Sequence, residues 1–325
     1  ALPSDIKEYF NKTIDTGIEH GTVTVMLHNV GYEVTTYRID GEYKDGRHPS
    51  SVEFSDRLTD DLCRRDFTIN AMAYNNVTGL VDEYGGIDDI NNRIIKCVGN
   101  PIERFTEDAL RMMRAIRFSA QLGFTIDEAT WNAIKKLSPS ISKISMERVH
   151  VELGKTLMSA HPDYVAQYSE AGLFAPILPV IDNALKSRYK RKILATLQHT
   201  PDNIYLRYAA LFITSTPDEA AKTLRALKLD NKTVNTVSKL VELSKMDIEE
   251  TEPAVRTALN KYGRDFLPLW HELMMAVIQA SEDITGISNP AKVKHLLTLK
   301  RLGTDILARG DCFTIKDLDI SGNDL

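Results

Sequence analysis

The sequence predicts an α+β protein in which a short strand-rich part precedes a much longer helical part. Near the start of the chain, the runs Gly21–His28 and Tyr32–Arg38 are rich in Thr, Val and Tyr, which is typical of strands. From Ile102 onward, apolar residues recur at helical spacing and no segment has a convincing strand pattern. A length of 325 residues favours two to four domains or modules.

Composition excludes few classes of function, but it indicates the cellular environment of the protein. An apolar content of 43% and a charged content of 26% are ordinary for a globular protein, and no apolar run is long enough to span a bilayer. Cys63, Cys97 and Cys312 are scattered and lack metal-ligand spacing, so we expect reduced thiols and a cytoplasmic protein. The net charge of −5 gives no global support for nucleic-acid binding, which a local basic surface can still provide.

The first elements are a short helix over residues 5–12 and a hairpin. Its two strands, Gly21–His28 and Tyr32–Arg38, are separated by Asn29–Gly31. Glu33 shares one face of the second strand with Thr35 and Tyr37. A carboxylate at this position is a candidate metal ligand or general base, and the alternative is an ordinary exposed strand residue.

Two polar segments follow the hairpin. Ile39–Asp61 is dense in charge, Gly, Ser and Pro, and loops of this length are uncommon unless they are functional or disordered. We favour a flap over a site, with a plain connector as the alternative. Arg64, Arg65 and Asp66 come next. The two arginines could hold a triphosphate, and the carboxylate could accept a hydrogen bond from a ribose hydroxyl. A bare Arg-Arg-Asp tripeptide is common and decides nothing by itself.

A helix is predicted over Glu107–Leu122. Thr106 is a suitable N-cap, Leu110, Met113 and Ile116 form an apolar stripe, and Gly123 suits the C-terminal stop.

Asp108 and Arg111 are three residues apart, so on this helix they would point from the same face. Cytosine and adenine carry an amino group beside a ring nitrogen acceptor, whereas uracil and guanine carry a carbonyl beside a ring N–H. An ionised Asp only accepts and an Arg only donates, so the pair matches C and A and mismatches U and G. The alternative is a surface ion pair.

Helical patterns recur through the rest of the chain, punctuated by Pro and Gly. The predicted segments are Glu128–Leu137, Met146–Ser159, Ala166–Ala171, Ala184–Leu197, Ile204–Ile213, Pro217–Leu227, Lys232–Lys245, Pro253–Tyr262, Asp265–Ser281 and Pro290–Arg309. The predicted helix Ala184–Leu197 contains a basic run, KSRYKRK at 186–192, which is a candidate nucleic-acid contact or a solvated face.

Five segments together resemble one family. In order they read HGTVTV (20–25), EVTTYR (33–38), RRDFTINAMAYN (64–75), the Asp82–Gly86 segment and ERFTEDALRMMRAIRF (103–118). Their order and intervals are similar to those of the bacterial-type (class II) tRNA nucleotidyltransferases, the CCA-adding enzymes, and of the related bacterial poly(A) polymerases. The resemblance implies a nucleotidyltransferase (polymerase-beta-like) head with a small mixed sheet, then an all-helical neck, body and partial tail.

The resemblance also implies boundaries and roles. It divides the chain into a head (1–98), a neck for nucleotide recognition (99–160), a body (161–265) and a tRNA-binding tail (266–325). It makes Asp108 and Arg111 the protein template for CTP and ATP, and Glu33 an active-site carboxylate. The other implied nucleotide-binding residues are Arg64, Arg65, Asp66, Asn70 and Arg114. The implied partner is tRNA, bound by its acceptor stem and elbow. The candidate RNA contacts come from the basic run and are Lys186, Arg188, Lys190, Arg191 and Lys192.

One departure from the family concerns the metal. Members carry a Gly-rich turn and an Asp-x-Asp strand ahead of a segment like ALPSDI, and this sequence begins at that segment. The resemblance therefore implies Mg²⁺ as the cofactor, with ligands upstream of Ala1 and none in this chain. Because those carboxylates supply the main electrostatic stabilisation, we expect this polypeptide alone to catalyse little. We also expect a tail shortened after residues 317–325.

The activity implied is template-independent addition of CCA to the 3′ end of tRNA, from CTP and ATP, with release of pyrophosphate. The long segment 39–61 favours a complete CCA enzyme over an A-adding, a CC-adding or a poly(A) polymerase relative. A second alternative is a helical RNA-binding protein without catalysis, motivated by the missing carboxylates.

Overall fold

The computed structural model describes residues 1–41 and 51–312, which fold into two compact units divided between Ile144 and Ser145. Small sheets and helices make up the first unit and helices the described part of the second, so the predicted α+β class is confirmed. Within the described ranges, no helix is both long and apolar enough to cross a membrane.

The first unit is built from short elements. Its strands are β1 (Thr13–Gly17), β2 (Thr22–Leu27), β3 (Val30–Thr35), β4 (Arg38–Asp40), β5 (Val52–Phe54), β6 (Ala73–Asn75), β7 (Gly79–Val81), β8 (Ile94–Ile95) and β9 (Thr125–Ile126). Its α-helices are α1 (Pro3–Tyr9), α2 (Leu58–Cys63), α3 (Gly86–Asn91), α4 (Pro101–Glu107), α5 (Leu110–Leu122) and α6 (Glu128–Leu137). The core around α4 and α5 contains Phe67, Phe105, Met112, Met113 and Ile116, all fully buried.

The predicted hairpin is confirmed, with a tighter turn and an additional strand. Strands β2 and β3 pair antiparallel, and Leu27 lies opposite Val30. His28 and Asn29 form the two-residue turn with φ of 50° and 63°, a left-handed geometry that matches the twist of the strands. The turn is therefore not at Asn29–Gly31. Strand β1, which the sequence did not predict, pairs with the other edge of β2.

The segment Ile39–Asp61 is not one continuous loop. Its first residues lie in β4, which pairs antiparallel with β5, and α2 begins at Leu58. The prediction was wrong here because each strand is three residues long, too short for a clear alternation. The flap predicted for this segment falls in part on residues 42–50, which lie outside the described residues.

The helix predicted over Glu107–Leu122 is interrupted. Helix α4 ends at Glu107, Asp108 has an extended backbone with φ −143° and ψ 106°, and α5 begins at Leu110. Thr106 therefore lies inside α4 and is not an N-cap. Asp108 leads into α5, because its carboxylate accepts the N–H of Leu110 at 3.0 Å and its carbonyl accepts that of Arg111 at 3.0 Å. The C-terminal stop at Gly123, with φ 67°, is confirmed.

The expectation of no strand after Ile102 is also wrong. Strand β9 pairs in parallel with β8, which lies about thirty residues earlier in the chain. A two-residue strand held by a distant partner leaves no local pattern for the sequence to reveal.

The second unit is helical over its described part. Its α-helices are α7 (Met146–Leu157), α8 (Ala166–Glu170), α9 (Pro179–Lys186), α10 (Lys190–His199), α11 (Ile204–Leu211), α12 (Pro217–Ala226), α13 (Asn231–Leu243), α14 (Glu252–Tyr262), α15 (Phe266–Thr285) and α16 (Pro290–Ala308). The single helix predicted over Ala184–Leu197 is wrong, since Ser187 is extended and separates α9 from α10. The tail segment 317–325 lies outside the described residues.

Candidate functional site

A buried carboxylate organises the two arginines that follow α2. Asp61 lies in the first turn of the short helix α2, and its side chain is 3% exposed. One carboxylate oxygen accepts from Nε of Arg64 at 3.0 Å and from Nη2 of the same residue. The other oxygen accepts from Nη2 of Arg65 at 2.9 Å. The two arginines are therefore held side by side by one acid, three and four residues before them.

The carboxylate of Asp66 is surrounded by donors. One oxygen accepts the N–H of Phe67 at 2.9 Å and the side-chain amide of Asn70 at 3.1 Å, which the 3-10 turn Thr68–Asn70 brings back. The other oxygen accepts from Nε and Nη2 of Arg114, on α5, at 2.7 and 2.6 Å. Three of the predicted nucleotide-binding residues thus form one cluster, in which Asp66 orients Arg114 and Asn70.

A second cluster surrounds the junction of α4 and α5. Glu107 contacts Arg104 at 2.5 Å and Arg111 at 2.5 Å, so its carboxylate lies between the two guanidinium groups. Arg111 also donates to the carbonyl of Arg104 at 3.2 Å and to that of Arg64 at 3.0 Å. These bonds place the guanidinium of Arg111 against the backbone of the Arg64–Asp66 segment.

The prediction that Asp108 and Arg111 share a helix face is wrong in its geometry. Asp108 precedes α5 with an extended backbone, so the i,i+3 relation of a continuous helix does not hold. Arg111 is 12% exposed, and its contacts are to Glu107 and to backbone carbonyls. The two residues are still close in sequence, but the junction between α4 and α5 separates them. The relative directions of their side chains therefore depend on the backbone conformation of this junction and not on helical spacing.

A cavity of about 510 Å³ opens beside these clusters. Arg64 is the predicted nucleotide-binding residue in its wall, together with Asp40 and the Arg104–Glu107 pair. The rest of its lining is Ile39, Gly41, Asp60, Cys63 and Thr106. Burial raises the pKa of the Cys63 thiol, so this cysteine is not an activated nucleophile. The described residues that line this cavity do not include the other six nucleotide-binding candidates, which are Arg65, Asp66, Asn70, Asp108, Arg111 and Arg114.

Glu33 lies apart from these contacts. It is exposed on β3, opposite Thr24 in the register of the hairpin. Over residues 1–41 and 51–312, no group of three or more His, Cys, Asp or Glu residues is placed to hold a metal ion. The described residues therefore do not fit a complete metal site, and we derive no step through a metal.

The Asp82–Gly86 segment has a structural explanation. The carboxylate of Asp82 accepts the N–H groups of Gly86 at 2.7 Å and Ile87 at 2.8 Å, at the start of α3. Burial pushes the pKa of Asp82 upward, but these N–H donors outweigh it and hold the pKa below its ordinary value. A Cβ on Gly86 would lie 2.4 Å from the carbonyl oxygen of Thr68, so only glycine fits this close approach.

Sequence reasoning missed the acids that hold the arginines. Asp61 precedes Arg64 and Arg65 by three and four residues, and Glu107 precedes Arg111 by four. Such spacing is the ordinary signal of a helical ion pair and could have indicated both acids. Asp40 could not have been found in this way, because its contacts with Arg38 at 2.8 Å and Arg64 at 3.8 Å depend on the fold.

The basic segment of the second unit lies at the junction of α9 and α10. Lys186 pairs with Asp182 at 2.8 Å, and Lys190 pairs with Glu170 at 2.7 Å. Arg188 donates to the hydroxyl of Tyr189 at 2.9 Å. Arg191 and Lys192 are exposed in the first turn of α10. Two of the five predicted RNA contacts are therefore partly neutralised by acids, and three keep an exposed charge.

Comparison with known proteins identifies the family. The family description "Poly A polymerase head domain" matches residues 1–96, and "Probable RNA and SrmB- binding site of polymerase A" matches residues 123–185. The CCA-adding enzyme of Geobacillus sp. strain WCH70 is 37% identical across 100% of this chain and 76% of that protein. The CCA-adding enzyme of Ligilactobacillus salivarius strain UCC118 is 52% identical across 50% of this chain, an alignment that spans only 40% of that protein.

A solved structure agrees with the sequence relatives. The Bacillus stearothermophilus CCA-adding enzyme, in a crystal structure in complex with CTP, superposes with a TM-score of 0.73 at 32% identity. The match covers 100% of this chain and 75% of that one. Fold and clustered polar residues thus define a nucleotidyltransferase of the polymerase family, a class that uses a divalent metal ion. More particularly, this chain belongs to the family of the CCA-adding enzymes.

Proposed function

We propose that this chain belongs to an enzyme that adds C, C and A to the 3′ end of tRNA without a nucleic-acid template, using CTP and ATP and releasing pyrophosphate. The observation that carries the proposal is the gathering, in one unit, of Arg64, Arg65, Asp66, Arg111 and Arg114 around linked acids. Four guanidinium groups within one folded unit suit a ligand with a triphosphate.

The proposed reaction is a displacement at the α-phosphate. The 3′-hydroxyl oxygen of the RNA forms a bond to the α-phosphorus, the bond from that phosphorus to the leaving oxygen breaks, and pyrophosphate departs. Glu33 is proposed as the carboxylate near the attacking hydroxyl, which takes up its proton. The arginines would hold the phosphates in line and stabilise their charge. Mg²⁺ is the divalent ion that we propose, with ligands other than the described residues.

Asp108 and Arg111 are proposed to select the base. Asp108 supplies an acceptor and Arg111 supplies donors, which complement the edges of cytosine and adenine. In the described state Arg111 donates to Glu107. If Arg111 is to select the base, the edge of that base must therefore replace Glu107 as the acceptor of at least one of its hydrogen bonds. The Bacillus stearothermophilus CCA-adding enzyme described above was crystallised in complex with CTP, which supports CTP as a substrate.

We further propose that tRNA contacts the segment Lys186–Lys192. The exposed charges of Arg188, Arg191 and Lys192 suit a phosphate backbone, which proteins of this kind contact by shape and charge rather than by base identity. We also propose a cytoplasmic location, in keeping with the small number and scattered positions of Cys63, Cys97 and Cys312. The proposed domain division remains 1–98, 99–160, 161–265 and 266–325.

A poly(A) polymerase relative is a second candidate, because the head of the chain matches a family described by that activity. The deciding experiment incubates the full-length gene product that carries this sequence with tRNA lacking CCA, and with CTP and ATP separately and together. The proposal predicts extension by three nucleotides only when both are present. A long tail formed from ATP alone on unrelated RNA would establish the alternative. Binding of tRNA without extension would support an RNA-binding protein.

A further inference from the structure

Asp61 is a buried acid to which the reaction proposed above gives no role. Its side chain is 3% exposed, and it lies beside Leu62 on the inner side of α2. Burying a carboxylate is costly unless it is paired and hydrogen-bonded. Here the three N–H donors of Arg64 and Arg65 meet that need, with one arginine on each carboxylate oxygen.

The contacts of Asp61 extend into a chain of alternating charges. Arg64 reaches from Asp61 to Asp40, with Nη1 at 3.8 Å from a carboxylate oxygen. Asp40, whose side chain is 4% exposed, in turn accepts from Nε of Arg38 at 2.8 Å. The order Arg38–Asp40–Arg64–Asp61–Arg65 therefore links β4 to the end of α2. Both acids are buried, and the outermost member at the α2 end, Arg65, is 43% exposed.

This arrangement leaves Arg65 anchored and accessible at the same time. One of its Nη atoms is fixed to Asp61 at 2.9 Å, while nearly half of its side chain faces solvent. An arginine side chain ordinarily loses considerable rotamer freedom when it binds an anion. Because one end is already held, less freedom remains to be lost, and the other donors stay available to a ligand. Arg64 is held more tightly, by two donors on one oxygen.

We propose that Asp61 is a positioning residue for the nucleoside triphosphate. It fixes the planes of Arg64 and Arg65 so that both guanidinium groups meet the phosphates without rearrangement, and it makes no contact with substrate itself. The proposal rests on the proposed function, because it assumes that these arginines bind a triphosphate.

A simple charge argument predicts the opposite sign, which makes the proposal testable. A carboxylate near a triphosphate repels it, so the loss of this negative charge alone would tighten nucleotide binding and lower KM. Loss of positioning would weaken binding and raise KM. A purely structural role would reduce thermal stability and the fraction of folded enzyme, with no change in the KM of the enzyme that remains folded.

The test compares Asp61→Asn with the unaltered full-length protein. The proposal predicts that KM for CTP rises by at least about tenfold, as expected when binding groups are misplaced by about an ångström, and that kcat changes much less. Asp56→Asn is the matched control, since Asp56 is an exposed acid just before α2 and its loss changes the net charge equally. The control should keep the KM of the unaltered protein.

Further variants separate positioning from folding and from the wider function. Asp61→Glu keeps the charge but moves the carboxylate by one methylene, so it should also raise KM. In a background of Arg64→Ala and Arg65→Ala, the change Asp61→Asn should add little, because nothing remains to be positioned. A KM for both Asp61 variants equal to that of Asp56→Asn would overturn the proposal, as would a lowered KM.

Calorimetric titration with CTP, run on the same proteins, distinguishes the two levels of inference. If the unaltered protein binds CTP but does not extend tRNA, the proposed reaction fails. The positioning role is then decided by whether Asp61→Asn weakens CTP binding about tenfold relative to Asp56→Asn. If the unaltered protein does not bind CTP, both inferences fail.

Discussion

The contact between Asp66 and Arg114 gives a quantitative test of how the site is held together. Asp66 is 8% exposed, and Arg114 places both Nε and Nη2 on one of its oxygens. Removing one partner of a buried ion pair commonly costs about 3–5 kcal/mol of unfolding free energy. Because Arg114 is one-third exposed, solvent screening lowers that figure here. Asp66→Ala also removes the acceptor of the Phe67 N–H and the Asn70 amide.

We expect Asp66→Ala to lower the free energy of unfolding of the first unit by about 3 kcal/mol. Arg114→Met, which keeps an aliphatic chain near Phe118, should cost about 2 kcal/mol. The double variant should cost about the same as Asp66→Ala alone, so the coupling energy is about 2 kcal/mol. This coupling means that Asp66 and Arg114 do not contribute independently to the free energy of unfolding.

The assay is urea unfolding followed by tryptophan fluorescence. The chain has 2 tryptophans, Trp131 in the first unit and Trp270 in the second. In a background of Trp270→Phe, the signal of Trp131 reports the first unit alone. Additivity of the single variants within about 0.5 kcal/mol would refute the reasoning, because it would mean that the contact contributes no coupling.

Two further predictions concern the second unit. Burial and the charge of Lys300 lower the pKa of His271, so the folded state binds its proton more weakly than the unfolded state. Stability of this unit should therefore fall as the pH drops below about 6.5, and His271→Leu should reduce that fall, as measured from Trp270 fluorescence in urea at pH 7.5 and 5.5. Replacing Arg188 and Arg191 with Ala should weaken tRNA binding and reduce the salt dependence of log Kd by about one unit per lost phosphate contact, measured by filter binding; an unchanged slope would place the RNA elsewhere.

The parts of the fold that the sequence predicted are those with a strong local pattern. Thr and Val alternate through β2, and the alternation correctly places Val23 and Val25 on one buried face, although Thr24 between them is buried as well. Helix α6 begins and ends at the predicted residues, Glu128 and Leu137, because Asp127 caps it and its apolar residues follow one face.

The break at Asp108 could not be predicted, because local signals there are ambiguous. Glu107 and Asp108 suit the first turn of a helix as well as they suit a junction. Contacts in the folded structure favour the junction over a continuous helix. Glu107 lies between Arg104 and Arg111, and Arg111 donates a hydrogen bond to the carbonyl of Arg64. The same limit applies to the second unit, where Ser187 interrupts the predicted helix without Gly or Pro nearby.

The candidate site was predicted by residue type and not by arrangement. Resemblance identified Arg64, Arg65, Asp66 and Arg114, and the structure brings Asp66 and Arg114 into direct contact. The acids that hold the arginines come from α2 and from the α4–α5 junction. To predict which acids these are, one must know which side of each helical turn faces the protein core. For Asp61 the i,i+3 and i,i+4 spacing was visible, but burial was not.

The most direct test of the account is nucleotide selection by the full-length protein. The variants Asp108→Ala and Arg111→Ala are compared with the unaltered protein in single-nucleotide addition to tRNA lacking CCA, with CTP, ATP, UTP and GTP supplied one at a time. If these two side chains read the base edge, the preference for CTP over UTP, measured as a ratio of kcat/KM, should fall by at least about tenfold in each variant. A preference that stays unchanged while overall activity falls would contradict the account, because the two residues would then support the fold without selecting the nucleotide.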